Sequence, residues 1–302
     1  MKKAVVNALG LVLLPVSLHG QITITLKNSF IEQNKNRVTI SATYTVDKAH
    51  AHPNPPAKDG DLHIAGRAPE IDLPTVAEIM NATAQDSAVA LVHGVEGTGT
   101  SINILGAWRI WCEHGGQSSQ VQGESLTAFT TTNPEHVFEI HPILRVGKDS
   151  IPDSWTPISG FAPKDAGAAF TNYENRPSQI RVSTSKGTTT ITTTMGGYNY
   201  VEFKMVLNGA QNVVADGRFV LAQVLDLNDD LLVHNRRMVF ALGTAPELRV
   251  KTLQVGDTLH VLGVPRVDLS LVSWRVRNRT SRPEALTWNL PYEIVIVGVY
   301  DH

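Results

Sequence analysis

Cysteine is almost absent from this chain. Its 302 residues contain a single one, Cys112, so no disulfide can form within the chain and its stability has to come from a packed core. Hydrophobic residues make up 42% of the sequence, which is enough for such a core. Cys112 directly follows the aromatic residue Trp111. The sequence therefore predicts a small buried apolar side chain rather than a reactive thiol.

A marked excess of one charge is also missing. Lysine and arginine number 26 and the acidic residues 28, a net charge of −2, which disfavours nucleic-acid binding by the molecule as a whole. One basic and aromatic segment lies near the C-terminus. Its candidate ligand-binding residues are Trp274, Arg275, Arg277 and Trp288, accompanied by Arg266, Arg279 and Arg282. OB-type surfaces use such residues to stack bases or sugars, although a solvated strand-and-loop face has the same composition. The expected partner is a small molecule, an oligosaccharide or a protein.

Long apolar runs are absent beyond the first twenty residues. Residues 4–18 are mostly apolar, follow Lys2 and Lys3, and lead to the small residue Gly20. This order is typical of a secretory signal peptide, here cut before Gln21. No later apolar run reaches the roughly 20 residues that a membrane span needs. We therefore expect export to the periplasm or the extracellular space, without a membrane span.

Familiar catalytic signatures are missing as well. The sequence has no Gly-x-Ser-x-Gly, no His-Glu-x-x-His and no Gly-x-Gly-x-x-Gly that opens a helix. The glycine-rich run at residues 94–99 lacks the Gly-Lys-Ser/Thr that completes a phosphate-binding loop. The absence of these motifs leaves open whether the protein is an enzyme.

Short strand patterns dominate what is present. Many segments alternate β-branched or aromatic residues with polar ones, and only residues 84–93 and 163–170 have helical patterns. The turn and apolar strand at residues 255–263 resemble the middle strand of an OB barrel. The prediction is an all-β chain with two OB-like or partly open β-barrel domains and one or two short helices. Its predicted parts are a signal peptide (1–20), an N-terminal domain (21–147), a Pro- and Gly-rich linker (148–177) and a C-terminal domain (178–302).

Two predicted strands each carry a carboxylate beside an imidazole. Side chains two residues apart in a strand lie on the same face, so Glu139 and His141 share one face of their strand. Asp61 and His63 do the same in an earlier strand. If both strands belong to one barrel, the four side chains form a single polar cluster.

Four motifs accompany these pairs in order along the chain. They are Asp59-Gly60-Asp61-Leu62-His63, Ala77-Glu78, His114-Gly115-Gly116-Gln117 and Glu139-Ile140-His141-Pro142. The set resembles a family of exported bacterial proteins of unassigned function with the pattern Asp-x-Asp-x-His, Ala-Glu, His-Gly-Gln and Glu-Leu-His-Pro. In this chain a second glycine separates the histidine of the third motif from its glutamine. The resemblance covers roughly residues 58–145 and implies a shared site and an OB-like fold, but it brings no activity with it.

The candidate polar cluster supports three kinds of chemistry. Its members are Asp61, His63, Glu78, His114, Glu139 and His141. A divalent metal (Zn²⁺, Mn²⁺ or Ca²⁺) would be held by His63, His141 and Glu139. Metal-free acid–base chemistry and a purely structural hydrogen-bonded network remain alternatives.

Three functions follow from these alternatives. The first is an exported soluble binding or interaction protein that carries the cluster in its N-terminal barrel. The second is a metal-dependent hydrolase that acts on phosphodiester or glycosidic bonds. The third is a protein that binds single-stranded nucleic acid or oligosaccharide through its C-terminal domain.

Overall fold

The computed structural model describes residues 20–278 and 287–300. All of the predicted signal peptide except Gly20 lies outside these ranges, as do Arg279 and Arg282 of the basic segment. The strands are β1 (Gln21–Lys27), β2 (Thr39–Ala49), β3 (Leu62–Arg67), β4 (Thr75–Ile79), β5 (Ser101–Ile110), β6 (Ser119–Val121), β7 (Phe138–Val146), β8 (Asp149–Ser150), β9 (Pro177–Ser183), β10 (Thr188–Thr194), β11 (Val201–Leu207), β12 (Asn212–Val214), β13 (Gly217–Leu225), β14 (Leu231–Ala241), β15 (Thr258–Val267), β16 (Thr287–Asn289) and β17 (Tyr292–Val299). The helices are α1 (Asn28–Asn34), α2 (Asp86–Val95), α3 (Ala166–Glu174), α4 (Ala245–Val250) and α5 (Leu269–Arg277). Within the described residues, every helix is too short or too polar to cross a membrane.

Five strands of the first half close into a barrel. Around the barrel the order is β2, β3, β4, β7 and β5, and β5 pairs back onto β2. Only the β4–β7 pair is parallel, and α2 lies between the third and fourth of these strands in the chain. This connectivity is that of an OB barrel. Apolar side chains such as Leu62, Ala77 and Ile140 fill its interior because they alternate with outward-facing polar residues.

The second half repeats this arrangement. Its barrel order is β11, β13, β14, β17 and β15, with β15 paired back onto β11. The only parallel pair is again formed by the third and fifth strands, β14 and β17, and α4 again follows the third strand. The prediction of an all-β chain with two OB-like barrels is thus confirmed.

A third sheet, which was not predicted, joins the two halves. Its strand order is β16, β9, β10, β1 and β6. β1 precedes the first barrel, and β9 and β10 lie between the barrels in the chain. β6 and β16 each come from the connection between the fourth and fifth strands of one barrel. The predicted strand near the N-terminus is therefore part of this sheet and not of the first barrel.

The segment predicted as a linker, residues 148–177, packs against the barrels. Trp155, Phe170 and Tyr173 of this segment are buried. The indole N–H of Trp155 donates a hydrogen bond to the Ile143 carbonyl of β7 at 3.0 Å. The segment therefore contributes to the core as well as connecting the two halves.

Each barrel carries one buried arginine–glutamate pair at the same place in its fold. In the first barrel Arg109 of β5 lies opposite Glu139 of β7. In the second barrel Arg266 of β15 lies opposite Glu293 of β17, with Nε and Oε1 2.7 Å apart. β5 and β15 are the fourth strands of their barrels, and β7 and β17 are the fifth. These two pairs give a register in which the barrels can be compared residue by residue.

The two arginines also hold the barrels together in a reciprocal way. Arg109 Nε donates to the carbonyl of Pro265 at 2.8 Å, and Arg266 donates to the carbonyl of Trp108 at 3.0 Å. Each arginine thus binds the carbonyl of the residue just before the other arginine. The outer walls of the barrels meet like the halves of a symmetric dimer, in which the same surface is used on both sides.

Candidate metal centre

The polar cluster lies on the outer wall of the first barrel, where three strands bring its members together. His141 follows the core residue Ile140 in β7 and therefore faces outward. Glu78 lies on the adjacent strand β4, and Asp61 is the residue just before β3. The second barrel and the segment before it cover this wall, so Asp61, Glu78 and His141 are 0%, 1% and 0% exposed.

His141 is the centre of the cluster. Its Nδ1 lies 3.4 Å from Oε2 of Glu78 and 3.4 Å from Oε2 of Glu139. Its Nε2 lies 2.8 Å from the hydroxyl of Tyr200, which donates to Oδ2 of Asp61 at 2.7 Å. One atom each from Asp61, Glu78 and His141 lie within 4.8 Å of one another. These three side chains could hold a metal ion.

Glu139 connects the cluster to a second group of polar side chains. Arg109 is hydrogen-bonded to its carboxylate, and Nε2 of His136 lies 3.4 Å from Oε1. Arg109 also forms an ion pair with Glu113 at 3.1 Å. The ring of His114 stacks on that of His136, with 5.1 Å between ring centroids. His114 thus lies at the edge of the cluster and approaches it through His136.

His63 forms the outward side of the cluster. Its Nε2 lies 3.8 Å from Oε2 of Glu78 and 4.0 Å from Oδ2 of Asp59. Its ring stacks on that of His50, with centroids 4.6 Å apart. The side chains of His63 and Asp59 are 12% and 24% exposed, so this side is closest to solvent.

The electrostatic environment shifts the pKa values of the three carboxylates of the cluster in different directions. Burial raises the pKa of Asp61 well above its ordinary value, because the attraction of His141 only partly offsets the loss of solvent. Burial also acts to raise the pKa of Glu78, but His63 and His141 outweigh it and the pKa is lowered. In the same way Arg109 outweighs burial at Glu139, whose pKa lies well below its ordinary value.

The imidazole responds to its acidic neighbours. Burial acts to lower the pKa of His141, but Glu78, Glu139 and Asp61 outweigh it and raise that pKa to about 9. Without a metal, the positive charge of the cluster is therefore carried by His141 and Arg109. A metal ion on His141 would take the place of its proton.

Two carboxylate oxygens of the cluster have no hydrogen-bond donor among the described residues. They are Oδ1 of Asp61 and Oε2 of Glu78, both buried. Three buried carboxylates, those of Asp61, Glu78 and Glu139, stand against the single permanent cation of Arg109. A divalent cation bound to neutral His141 would balance the two remaining negative charges. The donor set and the charge of the cluster therefore fit such an ion.

Sequence reasoning did not find every member of the cluster. Tyr200 comes from the second half of the chain, and no motif marks it. The sequence does mark Arg109, which is the one charged residue between the apolar residues Trp108 and Ile110. If that strand is buried, the charge of Arg109 has to be paired. The predicted ligand set of His63, His141 and Glu139 shares only His141 with the group whose ligand atoms the structure brings closest together.

The basic segment near the C-terminus is less uniform than its sequence suggests. Trp274, Arg275 and Arg277 lie on α5. Trp274 is 58% exposed, whereas Arg277 forms an ion pair with Glu32 of α1. Arg266 is completely buried between the barrels and is not part of this surface. The side chain of Trp288 lies outside the described residues.

The single cysteine is buried, as predicted. Burial raises the pKa of the Cys112 thiol to about 11, so little thiolate forms near neutral pH. We expect the folded protein not to react with the thiol reagent DTNB at about pH 8, and one thiol per chain to react in denaturant. Rapid labelling of the folded protein would contradict the burial of this side chain.

Comparison of the chain with protein-family models and with curated proteins gives no match in either case. The resemblance of the four motifs to exported bacterial proteins therefore stays a prediction.

Proposed function

We propose that the protein is an exported binding protein that holds a divalent cation between its two OB barrels, with Asp61, Glu78 and His141 as ligands. The proposal has to account for a group of charged side chains that is completely buried. Burying charges is costly unless they are paired or coordinate a metal. A structural network of hydrogen bonds would be the alternative explanation. Comparison with the equivalent positions of the second barrel decides between these two explanations.

The observation that carries the proposal is the composition of the second barrel at the equivalent positions. Ile140 pairs with Ala77 in the first barrel, as Ile294 pairs with Met238 in the second. The residues that directly follow these four in their strands are therefore equivalent as well. Glu78 therefore corresponds to Val239, and His141 to Val295.

The remaining positions follow from the next strand pair. His63 lies opposite Glu78, and Phe219 lies opposite Val239. Two residues earlier, Asp61 corresponds to Gly217. The second barrel thus closes and packs with no charged side chain at any of these positions. The fold does not need the cluster, which favours a role in binding.

The spacing around His141 favours a cation over hydrogen bonds alone. Its Nδ1 lies 3.4 Å from Oε2 of Glu78, longer than the roughly 2.7–2.9 Å of a strong charge-assisted hydrogen bond. Ligands on one tetrahedral ion with bonds of about 2.0–2.1 Å lie roughly 3.4 Å apart. A mixed imidazole and carboxylate set suits Zn²⁺ or Mn²⁺ better than Ca²⁺, which prefers oxygen ligands alone.

The burial of the cluster favours a binding role over hydrolysis. A catalytic metal keeps one coordination position open to water or substrate, whereas a structural metal is enclosed by protein ligands. Here all three proposed ligands are at most 1% exposed. All three ligands come from the first barrel, so the cation would be held there and enclosed beneath the second barrel.

Metal binding by the purified full-length chain tests the proposal. After removal of metals with a chelator, calorimetric titration with Zn²⁺ or Mn²⁺ should show one ion per chain. Glu78→Gln and His141→Ala should each lower the affinity by at least about tenfold, since each removes a ligand.

A matched pair in the second barrel provides the control. Nε2 of His260 and Oε1 of Glu202 lie 2.8 Å apart in the other barrel. His260→Ala and Glu202→Gln should leave the affinity unchanged. Absence of binding by the parent, or equal affinity of parent and site variants, would refute the proposal.

A further inference from the structure

Tyr200 is the one member of the cluster that the second barrel supplies. It directly precedes β11 and is 2% exposed. Its ring meets that of His141 edge to face, with 5.4 Å between centroids. Its hydroxyl lies between Oδ2 of Asp61, at 2.7 Å, and Nε2 of His141, at 2.8 Å. This position makes it the link between the carboxylate and the imidazole.

The hydrogen-bond direction around this hydroxyl determines the tautomer of His141. An aspartate that binds a metal ion is ionised and only accepts hydrogen bonds, so Tyr200 donates its single proton to Asp61. The hydroxyl can then only accept from His141, and Nε2 must carry the hydrogen. In neutral His141 the free lone pair is consequently on Nδ1, the nitrogen that lies 3.4 Å from Glu78.

We propose that Tyr200 is a positioning residue of the cation site, which holds His141 in the tautomer whose Nδ1 binds the ion. Histidine ligands in metalloproteins generally donate their other N–H to a carboxylate, carbonyl or water, and this partner fixes the ring. Here the partner would be a tyrosine that is itself held by Asp61. The inference rests on the proposed function and adds that the site is complete only when the second barrel is docked.

Two other buried tyrosines are matched controls. The hydroxyl of Tyr44 donates to the carbonyls of Ile64 and Thr75, at 2.8 and 3.0 Å. The hydroxyl of Tyr173 donates to the carbonyl of Tyr198 at 2.9 Å. Replacing either by phenylalanine removes a buried hydroxyl whose hydrogen bonds go to backbone carbonyls and not to side chains of the cluster.

Zinc affinity of the full-length variants is the first measurement. Tyr200→Phe should bind Zn²⁺ about 10- to 100-fold more weakly than the parent, the usual effect of losing the partner of a histidine ligand. Tyr44→Phe and Tyr173→Phe should bind as the parent does, although each also loses a hydrogen bond. Circular dichroism checks that all three variants fold.

The second measurement identifies the nitrogen that binds the ion and needs no variant. In protein loaded with cadmium-113 and labelled with nitrogen-15, the metal should couple to Nδ1 of His141. Coupling to Nε2, or an affinity of Tyr200→Phe within about threefold of the parent, would overturn the role of Tyr200 while leaving the cation site standing. If the parent binds neither ion, the proposed function fails and this inference with it.

Discussion

Replacing Glu78 and His141 together by valine is expected to abolish cation binding and to leave the metal-free protein within about 1 kcal/mol of the parent in unfolding free energy. The second barrel already has valine at both equivalent positions, Val239 and Val295, and both are completely buried there. The substitution removes one carboxylate and one imidazolium, so the charge balance of the cluster is preserved. Apolar replacement of a buried ion pair is often neutral or stabilising.

The single substitutions should behave differently. His141→Val leaves Glu78 and Asp61 buried without their imidazole, which we expect to cost about 3–5 kcal/mol in the metal-free protein. Urea unfolding of the parent, both single variants and the double variant gives the coupling between the two residues. At a zinc concentration of about 100 times Kd, the parent should gain about 2.7 kcal/mol and the double variant nothing.

The opposite result would identify a structural network. In that case the double variant would lose at least as much stability as either single variant, and zinc would stabilise none of the proteins. Such a result would mean that the first barrel, unlike the second, needs these side chains for folding.

The sequence was most informative where contacts are local. The predicted strand that carries His63 is β3 (Leu62–Arg67), with Asp61 directly before its first residue. The same alternation placed Glu139 and His141 on one face of β7, opposite Phe138 and Ile140, as the structure shows. A period of two depends only on neighbouring residues, so it can be read without knowing the fold.

Helical patterns predicted α2 and α3, but other short helices, among them α1 and α5, were not predicted because their signals are brief. The helix α1 (Asn28–Asn34) was not predicted, and it ends in a turn at residues 35 and 36. α5 was interpreted as a strand-and-loop face, although Asp268 is a suitable N-cap and accepts from the backbone N–H groups of Ser270 and Leu271. Helices of seven and nine residues hardly complete the periodic pattern on which recognition depends.

Contacts between distant parts of the chain could not be predicted from one sequence. Tyr200 is hydrogen-bonded to Asp61, 139 residues away in the sequence, and no local pattern predicts this contact. The repeated aromatic-Glu-Ile motif, at residues 138–140 and 292–294, was a usable sign of two similar barrels. The motif is only three residues long. In the structure both of its glutamates are paired with an arginine on the fourth strand of their barrel, which shows that the two motifs are equivalent.

Arg266→Ala should destabilise the protein by about 3–5 kcal/mol, because it breaks a buried ion pair by removing one partner. The Arg266 side chain is completely buried, with its guanidinium 3.7 Å from the ring centroid of Trp108. It binds Glu293 and donates to the carbonyls of Val38 and Trp108, at 3.0 Å each. Without it Glu293 stays buried, with Arg237 3.3 Å away as the remaining cation. The variant also removes this donor from three carbonyls outside its own barrel, those of Arg37, Val38 and Trp108.

Two further variants distinguish the effect of breaking a buried ion pair on stability from the effect of removing a positive charge alone. Lys27 pairs with Asp72 at 3.1 Å on the surface and is 49% exposed, so Lys27→Ala should cost at most about 1 kcal/mol. Replacing Arg266 and Glu293 together by methionine removes both charges and should recover much of the lost stability. Recovery should stay incomplete, because the carbonyls of Val38 and Trp108 still lack a donor, and an unsatisfied buried group costs about 1–3 kcal/mol. Urea unfolding measures all three, and a loss below about 1 kcal/mol for Arg266→Ala would show that the reciprocal arginines do not hold the barrels together.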